Sequence, residues 1–282
     1  MPAVLLALLS SLSYGVSDYL GGLKSRNLPV LTVMLVSQAA ALVAITASLA
    51  LAVGDIPEAR YLVYGMLAGI AEVVGLAALY RGLSIGKMSI VAAVAATAPI
   101  VPVVASVITG DSPTALQWIG ILVAVSGVSL LALNSSGEDD PHALARPGVS
   151  IVFGLLAALG LGSFLLAMDH GAEGSVQWAL IAARATSAGI ITVAFLAIRP
   201  EGDLKLGEWG WLVLIGLMIL VADSFYAVAS VKGVLSVVAV LSSLYPVVTI
   251  LLARFHLGEK LNRRQVGGIA IVLAGAVALS VG

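Results

Sequence analysis

Cysteine is absent from the 282 residues, which excludes disulfides, iron–sulfur clusters and thiolate metal sites and leaves redox compartment open. Charge is scarce as well. Asp, Glu, Lys and Arg make up 10 % of the chain, against about 25 % in an average soluble domain. A formal net charge of −1 gives no footprint for nucleic acid, and none is expected as a partner. Histidine occurs three times, as His142, His170 and His256, each in or beside the loop of a different segment. With no His cluster and no nucleophile beside a base, no catalytic residue, cofactor or metal is expected. Long polar stretches are missing too, so the aqueous loops are too short to hold a soluble domain.

What remains is apolar. Hydrophobic residues make up 60 % of the chain, in runs of roughly 17 to 25 residues, the length that crosses about 30 Å of hydrocarbon as helix. The expected fold is therefore an all-α integral membrane protein of ten transmembrane helices. They are expected at about 2–23, 29–53, 61–81, 89–109, 114–133, 147–168, 176–198, 208–230, 235–255 and 264–281. The first run lacks a basic leader and is too long for a signal peptide, so it is read as a genuine helix.

The longest polar stretch, Asn134 to Arg146, is rich in Ser, Gly, Asp and Pro and lies at mid-chain, as an exposed linker would. It predicts a first five-helix unit over 1–135, a linker over 136–146 and a second five-helix unit over 147–282. The two units repeat one another. Gly110, Asp111, Gln117, Gly120 and Gly127 recur 148 residues later as Gly258, Glu259, Gln265, Gly268 and Gly275. Gly86, Ser89 and Pro99 recur 147 residues later as Gly233, Ser236 and Pro246. The repeated glycines of the fifth and tenth runs are spaced to face one way, as close helix packing requires.

An odd number of helices per unit predicts inverted repeats, an arrangement of carriers that expose a midplane site to each side in turn. The charges agree. Lys24, Arg26, Arg81, Lys87, Arg146, Arg199, Lys205, Arg254, Lys260, Arg263 and Arg264 flank the odd loops, whereas the even loops hold Arg60 and Lys232. Excess basic residues mark the cytoplasmic side. Both termini are then expected on the periplasmic, outer side of a bacterial-type inner membrane.

Ionisable groups at membrane depth are costly, so each is a candidate site. Glu72 lies mid-way along the third run and shares a face with Tyr80. It is read as a proton carrier, a partner for a substrate ammonium, or a neutral acid that only joins helices. Asp223 shares a stripe with Tyr226 and Ser230 in the eighth run, the mate of the third; a polar contact near the membrane surface is the plainer alternative. On the first run Ser10, Tyr14 and Ser17 align. Asp18 follows near the cytoplasmic end, where it is equally a solvated cap. Arg184 is the one basic residue deep in an apolar run, suited to a carboxylate or phosphate ligand and still better to structural pairing with a carboxyl or backbone carbonyls. Thr97, Ser242, Ser243 and Tyr245 flank Pro99 and Pro246, whose missing backbone donors predict kinks, static or hinge-like, in the fourth and ninth helices.

Ten helices in two repeats, each with a proline in its fourth helix, an acidic Gly-Asp or Gly-Glu loop and then Gln-x-x-Gly, resemble the EamA-type branch of the drug/metabolite transporter superfamily. The resemblance spans the chain and is most specific from Pro246 to Leu279; Asp111 in place of the usual Glu, with Pro113 beside it, departs from the pattern. It implies a central cavity lined by helices one, three, four, six, eight and nine, with Arg184 outside that lining. It also implies two halves that rock around the cavity, and a cargo of amino acids, drugs or other metabolites. The expected substrate-binding residues are Tyr14, Ser17, Glu72, Tyr80, Thr97, Asp223, Tyr226, Ser230, Ser242 and Tyr245, with Pro99 and Pro246 as hinges. Four tyrosines and few charges suit a zwitterion or lipophilic compound better than a phosphate dianion. The expected function is export of small metabolites, amino acids including aromatic ones foremost, with proton-coupled multidrug efflux as the alternative and an intramembrane enzyme as the rival from another class. The expected partners are a small-molecule substrate and the lipid bilayer; the sequence leaves oligomeric state open, a monomer included.

Overall fold

The computed structural model describes residues 2–49, 55–98, 100–101, 104–105, 114–133, 147–202, 204–232, 241–242, 244–258 and 263–281. Within them the secondary structure is helical, with no strand. In chain order the helices are α1 (Pro2–Lys24), α2 (Val30–Leu49), α3 (Ala59–Ile85), α4 (Met88–Ala95) and α5 (Ala115–Leu133), followed by α6 (Pro147–Ala172), α7 (Val176–Ile198), α8 (Leu206–Lys232), α9 (Tyr245–His256) and α10 (Arg263–Val281). Six of them, α1, α2, α3, α6, α7 and α8, are long and apolar enough to cross a membrane. The expected linker at 136–146 lies outside the described residues.

Helices dominate because hydrocarbon offers backbone N–H and C=O groups no partner, and a helix satisfies nearly all of its own. The ends are set locally. Ser175 caps α7, its hydroxyl accepting from Trp178 N at 3.4 Å. Gly258 follows α9 at φ 65°, a left-handed conformation open to glycine without a Cβ clash, which accounts for the glycine of the acidic loop.

The exterior and interior reverse the pattern of a water-soluble protein. Leu122, Val193, Leu206 and Phe255 are among many large apolar side chains left exposed, while Asp18, Glu72, Arg184 and Asp223 are buried. Such an apolar outer surface suits lipid. At the centre lies α4, all of whose residues from Met88 to Ala95 are buried.

Helix pairing follows an exchange in which each helix trades places with the one five further on. α3 packs on α6 as α8 packs on α1, α3 on α7 as α8 on α2, and α4 on α6 as α9 on α1. The pairs α2–α7, α4–α9 and α5–α10 map onto themselves. Side-chain detail repeats as well. At Gly15 of α1 an added Cβ would lie 2.6 Å from the Tyr245 carbonyl and would also press on Val248; at Gly162 of α6 it would meet the Ala98 carbonyl and Val101. These two sets of residues lie 147 apart. Gly127 meets Val272, and Gly275 meets Ala124, in the same way at the crossing of α5 and α10.

The helices around the two expected kinks are interrupted. Thr97 N donates to Val94 O at 3.1 Å and Ile100 N to Thr97 O at 2.9 Å; Leu244 N donates to Leu241 O at 3.4 Å and Val247 N to Leu244 O at 3.0 Å. Each is a tight i to i−3 bond, and the second pair is the first displaced by 147 residues. Pro246 falls in the first turn of α9, where its lack of an N–H costs nothing. Pro99 lies outside the described residues.

Candidate functional site

A cavity lies where these helices converge, lined from α1, α3, α6, α8, α9 and the turn after α4. Its atom-free space is about 520 Å³ with the open side included. The lining is made of repeat mates. Tyr14 and Leu161 both line it, as do Asp18 and Leu165, and Glu72 and Ile219. Leu76 and Asp223, and Ala98 and Tyr245, complete the pairs, with Phe164 beside them. The members of every pair stand 147 residues apart, and in every pair one side chain is polar and the other apolar. A framework built twice therefore encloses a cavity that is chemically one-sided.

Behind the polar side sits Arg184 of α7, with no exposed surface. Its Nη1 donates to Glu72 Oε1 at 2.5 Å and to Gln38 Oε1 at 2.6 Å, and its Nη2 donates to Asp223 Oδ2. Gln38 Nε2 in turn donates to Glu72 Oε1 at 3.1 Å, and the Ser187 hydroxyl lies 2.9 Å from Glu72 Oε2. Tyr14 donates its hydroxyl proton to Asp223 Oδ1. One guanidinium on α7 thus ties together α2, α3 and α8, and Tyr14 adds α1 through Asp223. A buried arginine demands this, since its charge loses water and must gain carboxylates in compensation. Of its nitrogens, Nε has no partner among the described residues.

The sequence of the chain matches the EamA-like transporter family over residues 1–133 and again over 148–281. The chain belongs to the EamA-like transporter family. It is accordingly a multi-pass membrane protein of a transporter family within the drug/metabolite superfamily, acting on a small-molecule substrate in a lipid bilayer. An uncharacterised protein of Methanocaldococcus jannaschii is similar, 25 % identical over 138 residues that take in 47 % of this chain and 96 % of the relative. A solved crystal structure of a protein superposes with a TM-score of 0.66 at 17 % identity, covering 98 % of this chain and 96 % of its own. At that identity the likeness is one of fold.

In this EamA-like chain the expected site residues fall into three groups. Tyr14, Glu72, Asp223 and Tyr245 line the cavity together, the Tyr14 and Tyr245 rings lying 6.0 Å apart between centroids at 60°. Ser17 and Thr97 are buried but occupied, their hydroxyls donating to the Tyr14 carbonyl at 2.9 Å and the Val94 carbonyl at 2.8 Å. Tyr80 is fully buried against Gly21 of α1, and its hydroxyl, like that of Ser242, has no partner among the described residues. The Asp223–Tyr226 stripe is divided. Asp223 turns to Arg184 and Tyr14, while Tyr226 packs with Ala7 and Ala229 in a separate apolar cluster. Ser230 belongs to α8, its side chain lying outside the described residues.

Two participants escape a reading of the sequence, and a third is left open by it. Gln38 and Ser187 complete the shell of Glu72, and each has a signal that could have found it, as a polar residue interrupting an apolar run. The third is Asp18. Equally a solvated cap by its sequence position, it is 6 % exposed and lines the cavity. Among the described residues it has no hydrogen bond or ion pair.

Proposed function

We propose that this chain is an alternating-access carrier that exports small amphiphilic metabolites, amino acids including aromatic ones being the first class to test. The observation that carries the reading is the cavity walled by repeat-mated side chains: a site shared between two like units can open to either side as the units rock. The exchange of helix pairs, the repeated interruptions before α9 and after α4, and the twofold family match support ten spans in two inverted units, 1–135 and 147–282. A relative that is itself about as long as one unit supports the same division. The basic residues of the odd loops support an inner-membrane orientation with both termini on the outer side. Tyr14 and Tyr245 offer stacking faces; Pro99 and Pro246 mark the hinges; and Ser17, Tyr80, Thr97, Tyr226, Ser230 and Ser242 form a surrounding shell that reaches cargo when the units move.

Counterflow of radiolabelled threonine, methionine, phenylalanine and tryptophan into proteoliposomes tests this, with empty liposomes as control. Saturable exchange above control is expected. Flat traces from folded protein would sink the amino-acid assignment.

Proton-coupled multidrug efflux is a second reading, favoured by three carboxyl groups on the cavity lining and no cation there among the described residues. It predicts transport that stops when the coupling carboxyl is replaced by its amide.

A further inference from the structure

Three carboxyl groups line the cavity, and their surroundings differ. Glu72 and Asp223 are answered by Arg184, Gln38, Ser187 and Tyr14. Asp18 stands one helical turn beyond Tyr14 on the same face of α1. Among the described residues it has neither hydrogen bond nor ion pair, although it is 6 % exposed and faces the cavity. A carboxylate withdrawn from water without a counter-charge is unfavourable. Whatever occupies the cavity is therefore favoured if it brings a positive charge to this point.

The rest of the lining limits what else that occupant carries. Arg184, the cation of the Glu72–Asp223 network, is fully buried, does not line the cavity, and is engaged by two carboxylates. A cargo carboxylate or phosphate would find no cationic partner among the described lining residues. The wall contributed by the repeat mate of α1 is apolar: α6 presents Leu161, Phe164 and Leu165. Leu165 stands where the repeat would put a second Asp18. The Tyr14 and Tyr245 rings add faces on which an ammonium is attracted.

We infer that the cavity selects cargo carrying one cationic nitrogen on an apolar body, the nitrogen on the Asp18 carboxylate and the body against Leu161, Phe164 and Leu165. The inference rests on the carrier reading for the transport step that comes after binding, and within the amphiphilic metabolites of that reading it puts amines ahead of amino acids. One open carboxylate sets one positive charge, and the absence of an opposing cation on the described lining disfavours a zwitterion relative to the corresponding amine.

The test uses the full chain in nanodiscs and radiolabelled 2-phenylethylamine as the probe. Competitors are the neutral 2-phenylethanol, the anionic 3-phenylpropionate and the zwitterion phenylalanine, all with the same ring. In the wild type the amine is expected to displace label at concentrations about tenfold below the neutral and anionic analogues, the worth of one charge-assisted hydrogen bond. Asp18→Asn is expected to weaken the amine by about tenfold and leave the alcohol unchanged, and Asp18→Glu to keep most of the amine's affinity. The inference is overturned by amine binding that Asp18→Asn does not change. It is equally overturned by folded wild type that ranks the alcohol or the acid level with the amine, a result that needs no variant to fold. Asp18-dependent binding without counterflow of the amine would sink the carrier reading and keep this one. Counterflow of amino acids or amines indifferent to Asp18→Asn would do the reverse.

Discussion

Glu72 and Asp18 are both acids on one cavity, both buried, and their circumstances are opposite. Around Glu72 the chain has assembled an arginine, a glutamine and a serine from two other helices. Around Asp18, among the described residues, it has assembled no hydrogen-bond donor at all. Burial with partners fixes a structure, because removing any partner strands a charge. Burial without partners stores free energy that a ligand can release. The difference separates an acid that holds helices together from an acid left open to cargo, although both are single carboxyls in apolar runs of sequence.

The comparison breaks most visibly at Arg184. Arg184→Met leaves Glu72 and Asp223 facing one another without a cation and is expected to cost about 3–5 kcal/mol, seen as a large fall in the thermal unfolding midpoint of the detergent-solubilised protein. Adding Glu72→Gln and Asp223→Asn to that variant should recover part of the loss, since no unpaired charge is left. A midpoint unmoved by Arg184→Met would mean that the cluster holds nothing together.

Asp18→Asn should act with the opposite sign. It removes a buried carboxyl that has no partner among the described residues and is expected to stabilise the empty protein by about 1–2 kcal/mol, whereas Glu72→Gln destabilises it. Finding both variants on the same side of wild type in one melting series would erase the distinction between the two acids. Tyr14→Phe takes the hydroxyl donor from Asp223 and should cost about 1–2 kcal/mol in the same melting series, with the ring at position 14 still stacked near Tyr245. The smallest effect belongs to Ser17→Ala. Its hydroxyl bonds a carbonyl three residues back on its own helix, so the cost in the melting series should stay below about 1 kcal/mol; a larger fall would mean that the hydroxyl holds more than its own helical turn.

Much of the scaffold is legible in the sequence, and the particular residues explain why. Gly15 and Gly162, or Gly127 and Gly275, can be aligned by displacement alone, and the structure puts each pair at matching helix crossings. Glu72, Asp223 and Arg184 announce themselves because an ionisable group in an apolar run is rare whatever it touches. Their partnership is not legible. Asp223 and Tyr226 fall on one stripe because residues three apart along a helix share a face, yet a face is wide enough to divide, and the two side chains go to different neighbours. Asp18 is ambiguous for a related reason: depth in a membrane cannot be counted from a helix end whose tilt and position depend on packing. The apolar wall is invisible altogether, because Leu161 and Leu165 read no differently from leucines that face lipid.

What the sequence determined by itself is everything encoded over a helix length or by self-comparison: apolar helices long enough to span a bilayer, their repetition, and the few charges they carry. Only the tertiary structure decided which charges are answered and which is left open. Arg184 reaches Glu72 across 112 residues of chain and Asp223 across 39, and among the described residues Asp18 has no such reach made toward it. The pairing of a buried charge is a property of the helices that pack around it, and no periodicity within its own helix records them.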